Sequence, residues 1–94
     1  MTQATIRIPT PLRTFTNGAS QLQVEASTVR EALQAAGAEH EELLARILDD
    51  AGELRTFVNL FVGSKNISQL EGLDTPVAKD DVLSILPAVA GGIR

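Results

Sequence analysis

The chain of 94 residues contains no cysteine. A disulfide, a thiolate metal ligand and a thiol nucleophile are therefore excluded. Aromatic residues are also few, because three phenylalanines (Phe15, Phe57 and Phe61) stand without any tyrosine or tryptophan. Aliphatic side chains must form most of the hydrophobic core, and a chain of this length is long enough for one such core.

Long hydrophobic runs and a targeting segment are also missing. No apolar stretch approaches the ~18 residues that cross a membrane. Residues Met1–Thr5 lack the basic and apolar regions of a signal peptide. We expect a cytoplasmic protein that has no membrane partner.

Positive charge is sparse. Eight basic residues stand against twelve acidic ones, which gives a formal net charge of −4. The basic residues are scattered from Arg7 to Arg94, so no cluster is available to follow a phosphate backbone. Nucleic-acid binding is therefore not expected.

Residues that commonly carry catalysis are scarce too. His40 is the only histidine, and without cysteine it cannot complete a typical zinc site. The acidic pairs Asp49–Asp50 and Asp80–Asp81 lie at turn signals, where aspartate accepts hydrogen bonds from nearby backbone. Gly91–Gly92 is not followed by the helix or the Lys-Ser/Thr of a phosphate loop. We expect no metal site, no bound cofactor and no intrinsic enzymatic activity.

Alternation of polar and apolar residues predicts two strands near the N-terminus. Ala4–Ile8 places its isoleucines on one face, and Gln21–Glu25 alternates in the same way. Pro9 and Pro11 interrupt backbone hydrogen bonding after the first strand. Asn17–Gly18 is a strong hairpin-turn signal, so we expect the two strands to pair antiparallel.

Two helices are predicted next. Thr28 and Glu31 have the spacing of a capping box, and an apolar stripe follows them. The stripe consists of Val29, Leu33 and Ala36. We expect Gly37 to end this helix in the left-handed C′ conformation. A second amphipathic helix is predicted from about Glu39 to Leu48, with glutamates in its first turns.

The rest of the chain returns to strands. Thr56–Val62 is apolar on both faces, which is typical of a central strand covered by a helix. We expect Ile67 to begin a short return strand, and Leu70 and Leu73 to pack a turn or short helix. Val82–Leu86 forms the last predicted strand. The order of elements indicates an α+β fold, but periodicity leaves open whether the first and last strands pair in parallel.

The last residues do not continue this pattern. Pro87 marks a strand end, and Gly91–Gly92 favours conformational freedom over order. We therefore expect residues 1–87 to form one folded domain and residues 88–94 to form a flexible tail.

The complete pattern resembles the ubiquitin-like β-grasp sulfur carriers of thiamin, molybdopterin and cysteine biosynthesis. The resemblance covers essentially the whole chain through Ile6–Pro9, Thr28–Leu33, Phe57–Val62 and Asp81–Pro87, with Gly91–Gly92 at the end. The long second helix and the small-residue tail look most like the cysteine-biosynthesis carriers. The resemblance implies a mixed sheet of four to five strands packed on one main helix.

The resemblance also implies a function for the tail. In the family, an adenylating enzyme of the ubiquitin-activating type uses ATP to activate the C-terminal carboxylate, which is Gly92 here. Sulfur transfer then produces a thiocarboxylate that supplies a sulfur-accepting synthase in cysteine or related biosynthesis. Gly91 would provide clearance beside the reactive carbon, while Val89 and Ala90 would contact the partner's channel. The carrier would serve as a cosubstrate rather than an enzyme.

This chain departs from the simplest family pattern because Ile93 and Arg94 follow the second glycine. The encoded carboxylate therefore belongs to Arg94, two residues beyond the position that the resemblance assigns to chemistry. Some carriers of this kind have short extensions that a JAMM-type zinc metalloprotease removes. We expect cleavage between Gly92 and Ile93.

Three alternatives remain open from the sequence. The chain could be the small subunit of molybdopterin synthase, which inserts its tail into a larger catalytic subunit. It could be a ubiquitin-like modifier joined to lysines through the same glycine. It could also be a β-grasp interaction domain whose tail carries no chemistry.

Overall fold

The computed structural model describes residues 2–87. Its five strands are β1 (Thr2–Arg7), β2 (Gln21–Ala26), β3 (Val58–Val62), β4 (Lys65–Asn66) and β5 (Val82–Pro87). Two α-helices, α1 (Val29–Glu39) and α2 (Glu41–Ile47), connect β2 to β3. Short 3-10 segments occupy Thr10–Thr16, Ile67–Gln69 and Gly72–Asp74.

The sheet has the strand order β2-β1-β5-β3-β4. β1 pairs antiparallel with β2, as predicted, and parallel with β5, which resolves the pairing that the sequence pattern left open. β5 also pairs antiparallel with β3. The middle position therefore belongs to β5, and β3 lies beside it. β3 is nevertheless internal, because β4 covers its other edge.

Helix α1 begins as its sequence predicts. The Thr28 hydroxyl accepts a hydrogen bond from the Glu31 backbone N–H at 3.2 Å. The Glu31 carboxylate in turn accepts from the Ser27 N–H at 2.8 Å, one residue before the cap. The first bond satisfies a donor that the helix N-terminus leaves without an intrahelical partner, and the second ties the residue before the cap to the first turn.

The prediction that Gly37 ends α1 is wrong. The helix continues to Glu39, and Gly37 is buried within it. A Cβ atom at this position would meet the Leu44 side chain of α2, including its Cβ at 2.9 Å. Glycine is therefore required for close approach of the two helices, and no left-handed turn is involved.

One hydrophobic core fills the space between the inner face of the sheet and the two helices. Its largest fully buried side chains are Ile6, Ile8, Val29, Leu33, Leu43, Ile47, Leu60, Ile67, Leu83 and Ile85. All ten are aliphatic, as the lack of aromatic residues predicts. Each such burial stabilises the fold by about 1.5–3 kcal/mol relative to exposure.

The loops differ from expectation where local hydrogen bonds compete with strand pairing. Ile67 does not begin a return strand, because β4 ends at Asn66 and a 3-10 turn follows. The Asn66 side chain caps this turn by accepting from the Ser68 N–H at 2.9 Å. Leu73 packs into the core as predicted, whereas Leu70 is 39% exposed.

Candidate functional site

The structure defines the base of the predicted tail. Val89, Ala90, Gly91, Gly92 and Ile93, the residues to which the sequence assigned recognition, chemistry and processing, lie outside the described residues. The predicted tail follows Pro87, which is the last residue of the middle strand. Pro87 is paired with Val58 of β3, and Leu86 is paired with Asn59.

The β1 side of this base is shaped by the loop after the first strand. Because β1 and β5 are parallel, both strands end at the same edge of the sheet. The Arg13 Nε donates to the Ile8 carbonyl at 2.9 Å, and the Ile8 N–H donates to the Ser20 carbonyl at 2.8 Å. These bonds hold the loop against the sheet beside a shallow depression that Arg7 and Leu86 also line.

The β3 side is shaped by a tight turn. The Arg55 N–H donates to the Ile47 carbonyl at the end of α2 (2.9 Å), and the Val58 N–H donates to the Arg55 carbonyl (3.1 Å). This turn leaves Phe57 62% exposed. The sequence placed Phe57 inside a buried strand, so that prediction is wrong. The strand starts one residue later, at Val58.

Exposed apolar side chains concentrate near this base. Phe57 and Leu86 are the two most exposed large hydrophobic residues among residues 2–87, with Leu86 49% exposed. Leu86 lies on β5 and Phe57 directly precedes β3, so both are next to the Val58–Pro87 and Asn59–Leu86 pairs. In the sequence, only the polar side chain of Asn59 indicated that one side of β3 faces outward.

The residues considered for catalysis occupy structural positions. His40 is half-buried at the junction of α1 and α2, where its N–H donates to the Ala36 carbonyl at 2.9 Å. Asp49 accepts from the N–H groups of Ala51 and Glu53 at 2.9 and 3.0 Å. Asp81 accepts from the Ala78 N–H at 2.8 Å. These bonds confirm that both aspartates stabilise turns.

The described part of the chain offers neither a metal site nor a membrane-spanning helix. Residues 2–87 contain no group of three or more histidine, aspartate or glutamate side chains arranged to hold a metal ion. None of the helices between Thr2 and Pro87 has both the length and the apolar character to cross a bilayer.

Comparison with known proteins decides the family. The model of the ThiS family matches residues 6–92, which is most of the chain. The chain belongs to the ThiS family. The match ends on Gly92 and leaves Ile93 and Arg94 outside it.

Individual relatives of this ThiS-family chain agree with its fold. Sulfur carrier protein CysO of Mycobacterium tuberculosis is 34% identical over 90 residues, covering 94% of this chain and 97% of the relative. A chain in the crystal structure of the Amycolatopsis orientalis BexX/CysO complex superposes with a TM-score of 0.88 at 36% identity, covering 95% of this chain and 99% of that one. Small archaeal modifier protein 1 of Methanosarcina acetivorans superposes with a TM-score of 0.87 at 26% identity, covering 98% of each chain. The ubiquitin-like β-grasp fold and the resemblance to the cysteine-biosynthesis carriers are thereby confirmed.

Proposed function

We propose that this ThiS-family chain is a sulfur carrier whose working group is the carboxylate of Gly92. The observation that carries the proposal is the family match, which spans the β-grasp domain and ends on the second glycine. The similarity to proteins named as sulfur carriers over more than nine-tenths of the chain supports it. The carrier contributes a substrate carboxylate, and its partner enzymes contribute the catalytic groups.

The first proposed step is removal of Ile93 and Arg94. Hydrolysis of the Gly92–Ile93 peptide bond adds water and releases an Ile-Arg dipeptide, leaving a free carboxylate on Gly92. We propose a JAMM-type zinc metalloprotease for this step. Cleavage is required because Ile93 follows Gly92, so the carbonyl carbon of Gly92 is held in a peptide bond and carries no free carboxylate.

The second step is activation by an adenylating enzyme. A Gly92 carboxylate oxygen attacks the α-phosphate of ATP, pyrophosphate leaves, and an acyl-adenylate forms. A sulfide nucleophile then attacks the acyl carbon and expels AMP, which produces the thiocarboxylate. Glycines at 91 and 92 suit this chemistry because they lack a Cβ that would obstruct approach to the reactive carbon.

The third step transfers sulfur to a small-molecule acceptor on a synthase. The similarity to CysO favours cysteine or related biosynthesis, with an O-activated serine or homoserine derivative as the acceptor. The thiocarboxylate sulfur would displace the activated oxygen substituent. Hydrolysis of the resulting thioester-linked or rearranged product would return the Gly92 carboxylate.

Intact-mass spectrometry of the protein from its native host tests the proposal. We expect a species that lacks Ile93 and Arg94 and that carries one sulfur in place of one oxygen. Uncut protein that persists in cells actively assimilating sulfur would contradict it. A stable complex with a larger molybdopterin synthase subunit would instead assign the sulfur acceptor to molybdopterin biosynthesis.

A second candidate function is protein modification through the same glycine. The similarity to small archaeal modifier protein 1 over nearly the whole chain favours this candidate. The acyl-adenylate would then be attacked by a lysine amine, directly or through a carrier thioester. Gly-Gly remnants on lysines of other proteins, lost in a strain with Gly92→Ala, would support it.

A further inference from the structure

We propose that the surface around Phe57 binds the activating enzyme, and that it recognises an acidic region beside the tail-receiving site of that enzyme. This surface, called the Phe57 patch below, consists of Leu12, Arg46, Arg55 and Phe57. The inference rests on the proposed function, because it names the docking surface used in the adenylation step.

Backbone hydrogen bonds keep the apolar part of the patch exposed to solvent. The turn from Arg55 to Val58 is closed by the Val58 N–H donating to the Arg55 carbonyl at 3.1 Å, and Arg55 is anchored to α2 through Ile47. Phe57 therefore stays 62% exposed, while the buried Leu12 lines the depression beside it. A large exposed aromatic ring on a fixed turn is typical of a binding hot spot.

The cationic part of the patch is also fixed. The Arg46 guanidinium carbon lies 4.9 Å from the centroid of the Phe15 ring, within the range of a cation–π contact. The Arg55 Nε donates to the Ala45 carbonyl at 2.8 Å. Both side chains are thus oriented, although both residues are exposed.

Neither arginine forms an ion pair within 4.0 Å among residues 2–87. The ion pair found within 4.0 Å among residues 2–87 joins Arg30 to Asp74, far along the sequence from the patch. Glu42 lines the same depression, and Arg55 also lines the neighbouring depression together with Glu41, Asp49 and Asp50. The exposed guanidinium groups of Arg46 and Arg55 can therefore donate hydrogen bonds to carboxylates on a partner.

The patch lies beside the base of the tail, and this position indicates a partner that takes the tail into its active site. Val58, which adjoins Phe57, is paired with Pro87, and the tail begins one residue later. An enzyme that takes Gly92 into its active site must also cover the surface near the base of the tail. We therefore assign the patch to the activating enzyme, with carboxylates facing Arg46 and Arg55 and an apolar side chain against Phe57.

The test is steady-state adenylation by the purified activating enzyme of the same organism, with the carrier ending at Gly92 as the varied substrate. Phe57→Ala should raise the KM for the carrier by about tenfold, a typical hot-spot loss. Arg46→Gln and Arg55→Gln should each raise it severalfold, with kcat little changed in all three. The wild-type KM should rise with NaCl more steeply than that of the double arginine variant, because screening weakens exposed charge pairs.

Matched controls separate docking from other effects. Leu70→Ala removes another exposed apolar side chain, and Lys79→Gln removes a charge from the turn at the opposite end of β5; both should leave KM unchanged. Thermal unfolding of every variant checks the fold, and Arg55→Lys should recover part of the loss. Unchanged KM for the patch variants, or a larger effect from Arg7→Gln on the outer sheet face, overturns the proposal. A loss seen only with the synthase or the protease overturns it as well.

The docking inference and the proposed function fail in different ways. If the activation step of the proposed function is wrong, the wild-type chain ending at Gly92 gives no adenylation at any concentration. If only the docking inference is wrong, the wild-type chain is adenylated and the Phe57, Arg46 and Arg55 variants match it in KM.

Discussion

Gly37 of α1 lies against Leu44 of α2 so closely that a methyl group at position 37 would overlap the leucine side chain. This contact sets the approach of the two helices that cover the inner face of the sheet. It also explains why a residue of poor helix propensity is retained inside a helix. Alanine is usually more stable than glycine there by about 1 kcal/mol.

Gly37→Ala should therefore destabilise the protein despite its better helix propensity. We expect a loss of about 1–3 kcal/mol in the free energy of unfolding, as for other overpacked cores. Urea denaturation measures it. The double variant Gly37→Ala/Leu44→Ala should lose less than the sum of the two single changes, because the shortened Leu44 removes the overlap. Additive losses would show that the contact is not the cause.

Thr28→Ala should weaken the start of α1. The Thr28 hydroxyl satisfies the Glu31 N–H, and loss of such a cap costs about 1 kcal/mol of stability. Thr28→Ser, which keeps the hydroxyl, should retain most of that stability in the same urea titration. If serine and alanine are equally destabilising, the loss comes from packing of the threonine methyl group and the capping argument is wrong.

Gly92→Ala should abolish or strongly reduce adenylation while it leaves the folded domain intact. The buried hydrophobic residues of the described core all fall between Ala4 and Ile85, so we expect an unchanged Tm. Pyrophosphate exchange by the activating enzyme measures the first effect and thermal unfolding the second. Ala88→Gly changes the tail by one methyl group at another position and serves as the control. Full activity of Gly92→Ala would remove the steric reason for the diglycine.

Ile93 and Arg94, which follow Gly92, should prevent adenylation. A chain that ends at Arg94 should give no adenylate, whereas the same chain ending at Gly92 should be a substrate, because only the second presents its carboxylate on glycine. Treatment of the longer chain with the host metalloprotease should restore activity, and chelation of zinc during treatment should prevent it. Equal activity of the two forms would argue against processing.

Several features followed from short stretches of sequence. The spacing of Thr28 and Glu31 predicted the helix start because capping joins residues three or four apart. The turn roles of Asp49 and Asp81 followed for the same reason, since each carboxylate bonds backbone within a few residues. Alternation identified β1, β2 and β5 because the side-chain period of a strand is a local property.

The tertiary structure alone decided the features that depend on distant residues. The parallel pairing of β1 with β5 joins strands more than seventy residues apart, and periodicity is the same for either direction. The sequence predicted Gly37 as a helix end, but its contact with Leu44 of α2 keeps it inside the helix. The sequence also predicted Phe57 as part of a buried strand, but the Arg55–Val58 turn places it before the strand. The sequence by itself determined most of the helices and strands and the position of the diglycine, because each of these depends on neighbouring residues. Only long-range packing and hydrogen bonding decided which strand lies in the middle and which side chains surround the base of the tail.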